Sequence, residues 1–202
     1  MIKCAKEMRA TAAAALKGKW GSAVLTTLVY MLIVCVSSVI LAIIPGLNLV
    51  ASIAAVIFAA GFQVGFLTML RTGEKVQVDC LFDFFKESRL WVTILLMFVY
   101  TFLWTLLFII PGIIKGFAYA MTPFILKDNP DMKNNEAIEL SMAMMNGHKW
   151  DLFCLELSFI GWAFLCVLSL GIGYFWLMPY MYASIAAFYE DVKTEFASRA
   201  NA

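Results

Sequence analysis

The chain has 202 residues, of which 63% are hydrophobic and 14% charged, with 15 Lys and Arg against 14 Asp and Glu. Its mean hydropathy is +0.86. Soluble domains are about half apolar and about a quarter charged, so this composition excludes an ordinary globular enzyme, and it is too apolar for disorder. No basic excess points to nucleic acid.

The charges are clustered, and the clusters divide the chain. Residues 1–21 form an amphipathic N-terminal segment that ends in Lys19-Trp20. Residues 22–70 carry no Asp, Glu, Lys or Arg. A helix needs about 20 apolar residues to cross the hydrocarbon, so this stretch holds two spans. Pro45-Gly46 is the turn between them. Residues 71–89 are a second amphipathic segment, with Asp83, Lys86 and Glu87 on one side and Leu81, Phe84 and Phe85 on the other. Residues 90–126 are a second hairpin, turning at Pro111-Gly112, whose short return helix contains Pro123.

Residues 127–151 read as an amphipathic helix that lies at the membrane surface. Asn129-Pro130 starts it and Gly147 stops it. Glu136, Glu139 and Asn146 lie opposite Ile138, Met142 and Met145. Residues 152–189 form a third hairpin, turning at Gly171-Ile172-Gly173 and kinked at Pro179, before a tail at 190–202. The expected fold is therefore a single all-α membrane domain of about six spans in three hairpins.

Short cytoplasmic loops hold the Lys and Arg excess of a membrane protein. In the six-span arrangement fourteen of the fifteen cations fall on one side, in the segments 1–20, 71–89, 127–151 and 190–202, and Lys115 falls on the other. This places both termini in the cytoplasm and the chain in a bacterial cell membrane as a multi-pass protein. The first apolar stretch exceeds the 7–15 residues of a signal peptide core and has no A-x-A-like site after it, so it reads as a retained span.

A threefold internal repeat is also legible. Lys19-Trp20, Arg89-Leu90-Trp91 and Lys149-Trp150 each precede an apolar helix. A cation beside an indole suits the headgroup layer, so Lys19, Trp20, Arg89, Trp91, Lys149 and Trp150 are candidate interface anchors. Ile43-Ile44-Pro45-Gly46-Leu47 and Ile109-Ile110-Pro111-Gly112-Ile113 mark equivalent turns.

The run from Ile109 to Ile114, followed by Tyr119, Pro123-Phe124-Ile125-Leu126 and Asp128-Asn129-Pro130, resembles the bacterial membrane family called domain of unknown function 975. Glu136-Ala137-Ile138, Ser141, Met145, Gly147, Lys149-Trp150 and Phe153 continue the resemblance. So do Ala14–Trp20, Gly171–Gly173, Pro179-Tyr180 and Phe188-Tyr189. The central pattern is similar, more loosely, to the membrane domain of some glycerophosphodiester phosphodiesterases, whose soluble catalytic domain has no room in this chain. The resemblance implies an architecture and supplies no chemistry.

The residues themselves offer little for catalysis. H-E-x-x-H, G-x-S-x-G and the phosphate-binding glycine loops are absent. The single histidine, His148, has no metal-ligand partners at suitable spacing, and the five cysteines contain no C-x-x-C. No catalytic residue, cofactor or metal is expected. Glu156 is the one acidic residue inside an expected span and so the candidate functional intramembrane residue, though its place near Trp150 also suits an interfacial group. Gly61 and Gly65 form a small-xxx-small stripe that admits a close helix partner, within the chain or in a second copy. The sequence thus favours a non-enzymatic envelope protein that binds lipid, a partner protein or itself. A small transporter or channel subunit is the alternative, and a lipid-modifying enzyme a further one.

Overall fold

The computed structural model describes residues 4–43, 48–86, 88–107 and 109–200. All the regular elements among them are helical. In chain order they are α1 (Ala5–Leu16), α2 (Trp20–Ile43), α3 (Asn48–Thr72), a 3₁₀ turn (Val78–Leu81), α4 (Asp83–Lys86), α5 (Ser88–Leu107) and α6 (Ile109–Tyr119). Then follow α7 (Thr122–Asp128), α8 (Asn134–Met144), α9 (Lys149–Leu157), α10 (Ile160–Leu168) and α11 (Tyr174–Ala200). Among the described residues three stretches are long and apolar enough to cross a membrane: Trp20–Val39, Ile53–Thr72 and Lys149–Leu168. Leu90–Leu106 is apolar but shorter.

The core is built along α3 and α11. Phe62, Phe66 and Leu67 of α3 are enclosed, and Leu81, Phe84, Phe124, Phe159, Phe188 and Tyr189 close around them. An aromatic run joins three helices: Tyr30 of α2 stacks on Phe62 at 4.7 Å, and Phe62 meets Tyr182 of α11 edge-on at 5.0 Å. Such pairs add directional preference to plain area burial. The Gly61–Gly65 stripe is used inside the chain. A Cβ at Gly61 would stand 2.5 Å from the Cys80 carbonyl oxygen, and one at Gly65 would stand 2.5 Å from the Cys80 sulfur. The stripe therefore seats the 3₁₀ turn and presents no open face to a second copy. Burial, helped by Asp83 and Asp79, pushes the Cys80 thiol up to about 12.

Several boundaries differ from the sequence expectations. Pro45 and Gly46 lie outside the described residues, as does the side chain of Arg89. Pro111-Gly112 is not the turn of the second hairpin, because both residues belong to α6. Proline is tolerated in a first helical turn, where its missing N–H has no partner to lose. Gly112 faces α5, and a Cβ there would lie 2.7 Å from the Thr105 Cα, so the hairpin closes on a glycine. The expected fourth span, 112–126, is two helices. α6 stops at Tyr119 and α7 starts at Thr122, with Pro123 in its first turn.

The surface helix expected from Asn129 begins at Asn134 instead. Pro130 drives Asn129 out of the helical region, to φ −126°, ψ 80°, and Asn129 caps the end of α7. Its backbone N–H donates to the Ile125 carbonyl at 2.9 Å. α8 buries Ala137, Ile138, Met144 and Met145 and exposes Glu136 and Glu139. Gly147 follows it with φ +89°, a conformation that costs glycine little. Residues expected as a tail from 190 extend α11, which runs unbroken through Pro179 to Ala200. At 1.5 Å per residue that helix is about 40 Å long.

Lys115, expected alone on the far side, is not at a hairpin tip. Its Nζ lies 3.6 Å from the Met142 sulfur of α8 and over the Trp104 ring at 5.1 Å. α6 begins at Ile109, so Lys115 is more than a helical turn into it, and its cation rests against the element that carries Glu136 and Glu139. The described hairpin ends are apolar and open: Leu106 is 74% exposed, Ile110 72% and Leu170 93%.

Candidate functional site

Charged residues from three helices meet in one cluster. Arg71 is in the last turn of α3, Asp128 ends α7, and Tyr189, Glu190 and Lys193 share one side of α11. Asp128 is the centre, with its side chain only 8% exposed. Arg71 grips both carboxylate oxygens of Asp128, with Nη2 to Oδ2 at 2.8 Å. Tyr189 donates its hydroxyl to Oδ2 at 2.8 Å, and Lys193 donates Nζ to the same oxygen at 2.6 Å. The remaining arm of Arg71, Nε, donates to Glu190 Oε1 at 2.5 Å.

The cluster is seated on aromatic rings. Tyr189 stacks on Phe124 at 5.0 Å, and the Arg71 guanidinium stands 6.0 Å from the Tyr189 ring centre. Burial by itself would raise the Asp128 carboxyl. The hydrogen bonds from Arg71, Lys193 and Tyr189 outweigh it and hold the group well below the usual carboxylate range. A fork-to-fork Arg–carboxylate pair is the strong, directional kind of ion pair. With its acceptor sites filled from three directions, Asp128 is arranged to tie α3, α7 and α11 together and not to take a proton from a substrate.

A second link lies nearby. His148 is buried just before α9, with Nδ1 3.2 Å from Asp151 Oδ2 and Nε2 3.7 Å from Glu195 Oε1 of α11. It therefore joins the start of α9 to the end of α11.

Between α1, the start of α2, α10 and α11 there is an apolar cavity of about 450 Å³. Trp20, Trp162, Trp176, Tyr180 and Cys166 line it. The turn beside it is held by the Gly171 N–H, which donates to the Cys166 carbonyl at 2.9 Å, and by Gly173, where a Cβ would meet the Cys166 sulfur at 2.7 Å. Pro179 is buried within α11, one residue before Tyr180.

The sequence candidates end up apart. Glu156 is exposed on α9, and its side chain has no hydrogen bond or ion pair among the described residues. Trp150 is 69% exposed and packs on Phe153 at 5.1 Å, whereas Trp91 is half-buried against the core. Lys19 and Lys149 are half-buried at the starts of α2 and α9, and of the five anchors whose side chains are described Trp20 alone lines the cavity. Sequence reasoning did not single out Arg71 and Asp128 as partners. Their signal was available: Arg71 is the first charge after a long apolar run, Asp128 is the first acid after another, and the two have opposite sign.

No curated protein and no solved structure matches this chain, so the looser likeness to phosphodiesterase membrane domains finds no support. Two overlapping stretches, residues 1–115 and 105–195, match the family described as Protein of unknown function (DUF975), and the chain belongs to that family.

Proposed function

We propose that this is a non-enzymatic, multi-pass protein of the bacterial cytoplasmic membrane, whose three hairpins lie in the bilayer as six helical segments and whose role is to bind lipid. The observation that carries this reading is the division of the surface. Every charge between Ser22 and Tyr189 is confined to the connecting segments, Lys115 and the one exposed acid Glu156, while the hairpin ends expose Leu106, Ile110, Leu170 and Ile172. An uncharged apolar tip is a liability in water and an ordinary surface in hydrocarbon. The cation-rich segments and both termini then face the cytoplasm.

The polar residues of the apolar segments support binding over transport. Ser38, Thr105 and Ser158 each donate to a carbonyl of their own helix, at 2.8, 2.8 and 2.6 Å. Groups used locally in this way do not line a shared path. A cavity of about 450 Å³ lined by indoles is, in contrast, of the size and apolarity of small-ligand sites.

Cysteine accessibility tests the arrangement. In a cysteine-free version, single cysteines at Lys75, Asn135 and Lys115 should resist an impermeant thiol reagent in intact cells, while one at Leu170 should react. Labelling of Asn135→Cys from outside would overturn the topology. Native mass spectrometry that finds no retained lipid would overturn the binding role.

A further inference from the structure

Arg9 is an arginine that the fold leaves without a counter-charge among the described residues. Of the arginines whose side chains are described, Arg71 pairs with Asp128 and Glu190, and Arg199 pairs with Glu195. Arg9 has no carboxylate partner among the described residues. Its Nη1 makes one long bond, 3.4 Å, to the Ser158 carbonyl, and its Nε is buried with no acceptor. A part-buried guanidinium with an orphaned N–H is a costly arrangement unless an anion completes it.

The position of that cation says which anion. Arg9 precedes Ala13 by one turn of α1, and Ala13 lines the apolar cavity. The guanidinium stands 5.9 Å from the centre of the Phe159 ring, and Phe159 meets Tyr180, another lining residue, edge-on at 5.4 Å. The cation and the cavity-lining Tyr180 therefore share Phe159 as a neighbour. Trp162 and Trp176 line the cavity and are each about half exposed, as are the apolar Leu165 and Leu168 of α10. A ligand that fills both features has an anionic head and a long apolar chain, and it reaches the cavity from the bilayer.

We propose that this cavity holds an acyl chain of one anionic phospholipid of the cytoplasmic leaflet, with its phosphate on Arg9. The proposal rests on the lipid-binding role above and names the site and the lipid class.

Quenching of indole fluorescence reads it directly. The full chain in mild detergent is titrated with phosphatidylglycerol or phosphatidylcholine carrying the same bromine-labelled acyl chains. Phosphatidylglycerol should half-saturate at roughly tenfold lower concentration, the size of one charge-assisted hydrogen-bonded contact. Arg9→Gln should bring the two lipids to within about twofold, and Arg9→Lys should keep part of the preference. Trp162→Phe with Trp176→Phe should remove most of the saturable quenching, and Ala13→Phe, a change at an exposed position, should weaken both lipids by occluding the cavity. Equal half-saturation by the two lipids in the unaltered chain would overturn the anionic site while leaving lipid binding intact. A preference that survives Arg9→Gln would overturn the role of Arg9. Saturable quenching by neither lipid would overturn the broader binding role as well.

Discussion

The two ends of this molecule are held by different means. At the charged end, Asp128 collects Arg71, Tyr189 and Lys193 within hydrogen-bonding distance, so α3, α7 and α11 have one mutual arrangement. Where α5 meets α6 and α10 meets α11, the large exposed side chains are apolar, Ser169 and Thr105 bond only locally, and the helices approach closely at Gly112 and Gly173. Directional bonds are placed where water would otherwise compete for each group, and steric fit is used where lipid offers no hydrophobic drive between helices. The charged end therefore specifies the arrangement, and the apolar end adapts to its surroundings.

The largest effect should come from placing a charge under α8, beside the clamped end. Met145 is fully buried, so Met145→Asp strands a carboxylate without a partner and should cost more than about 4 kcal/mol. Membrane-assembled protein should fall sharply by fluorescence-detected size exclusion. Glu139→Lys, on the exposed side of the same helix, loses only its 2.6 Å contact with Asn135 and should be tolerated. If the two substitutions behaved alike, α8 would not be packed as described.

The clamp itself should rank next. Asp128→Ala leaves Arg71 and Lys193 facing each other without their shared anion and should cost about 3 kcal/mol in detergent. Arg71→Ala should then cost much less in the Asp128→Ala background than alone, the mark of a coupled pair. The pH dependence follows from the sign of the Asp128 shift. Its carboxyl is depressed in the folded chain, so its contribution is complete above the unfolded value of about 4 and is lost as pH falls towards the folded one. Asp128→Asn should flatten that acidic limb of the melting curve.

How much of this was readable beforehand depends on the range of the interaction. The amphipathic face of α8 and its stop at Gly147 are local, set by spacing and by one left-handed residue, and both could be read from residues 134–147. The start of α8 was misplaced because Asn129-Pro130 carries two signals. Pro130 suits a helix start, but it also bars Asn129 from helical backbone, and here the second effect ends α7. Pro111-Gly112 misled in the same way, since a proline tolerated in a first turn was taken for the turn itself. The Arg71–Asp128 pair joins residues 57 apart in sequence, and the cavity draws on α1, α2, α10 and α11. No periodicity encodes such meetings, and only opposite charges at the ends of apolar runs hinted at the first.

The smallest effect should be at Glu156, and it separates the two ends most finely. An intramembrane acid is ordinarily expensive and so invites a functional reading. Here the side chain is exposed on α9, without an ion pair or hydrogen bond among the described residues, and lies about 9 Å along the helix from Trp150. That distance leaves it within reach of the headgroup layer, where water and lipid cations can serve it. Glu156→Gln should therefore change the melting temperature by no more than about 1 °C, since exposed substitutions lie within about 0.5 kcal/mol. A loss of several degrees would mean that Glu156 has a buried partner in the membrane. The apolar helices would then own a polar tie, and the contrast between a bonded end and merely packed apolar helices would no longer hold.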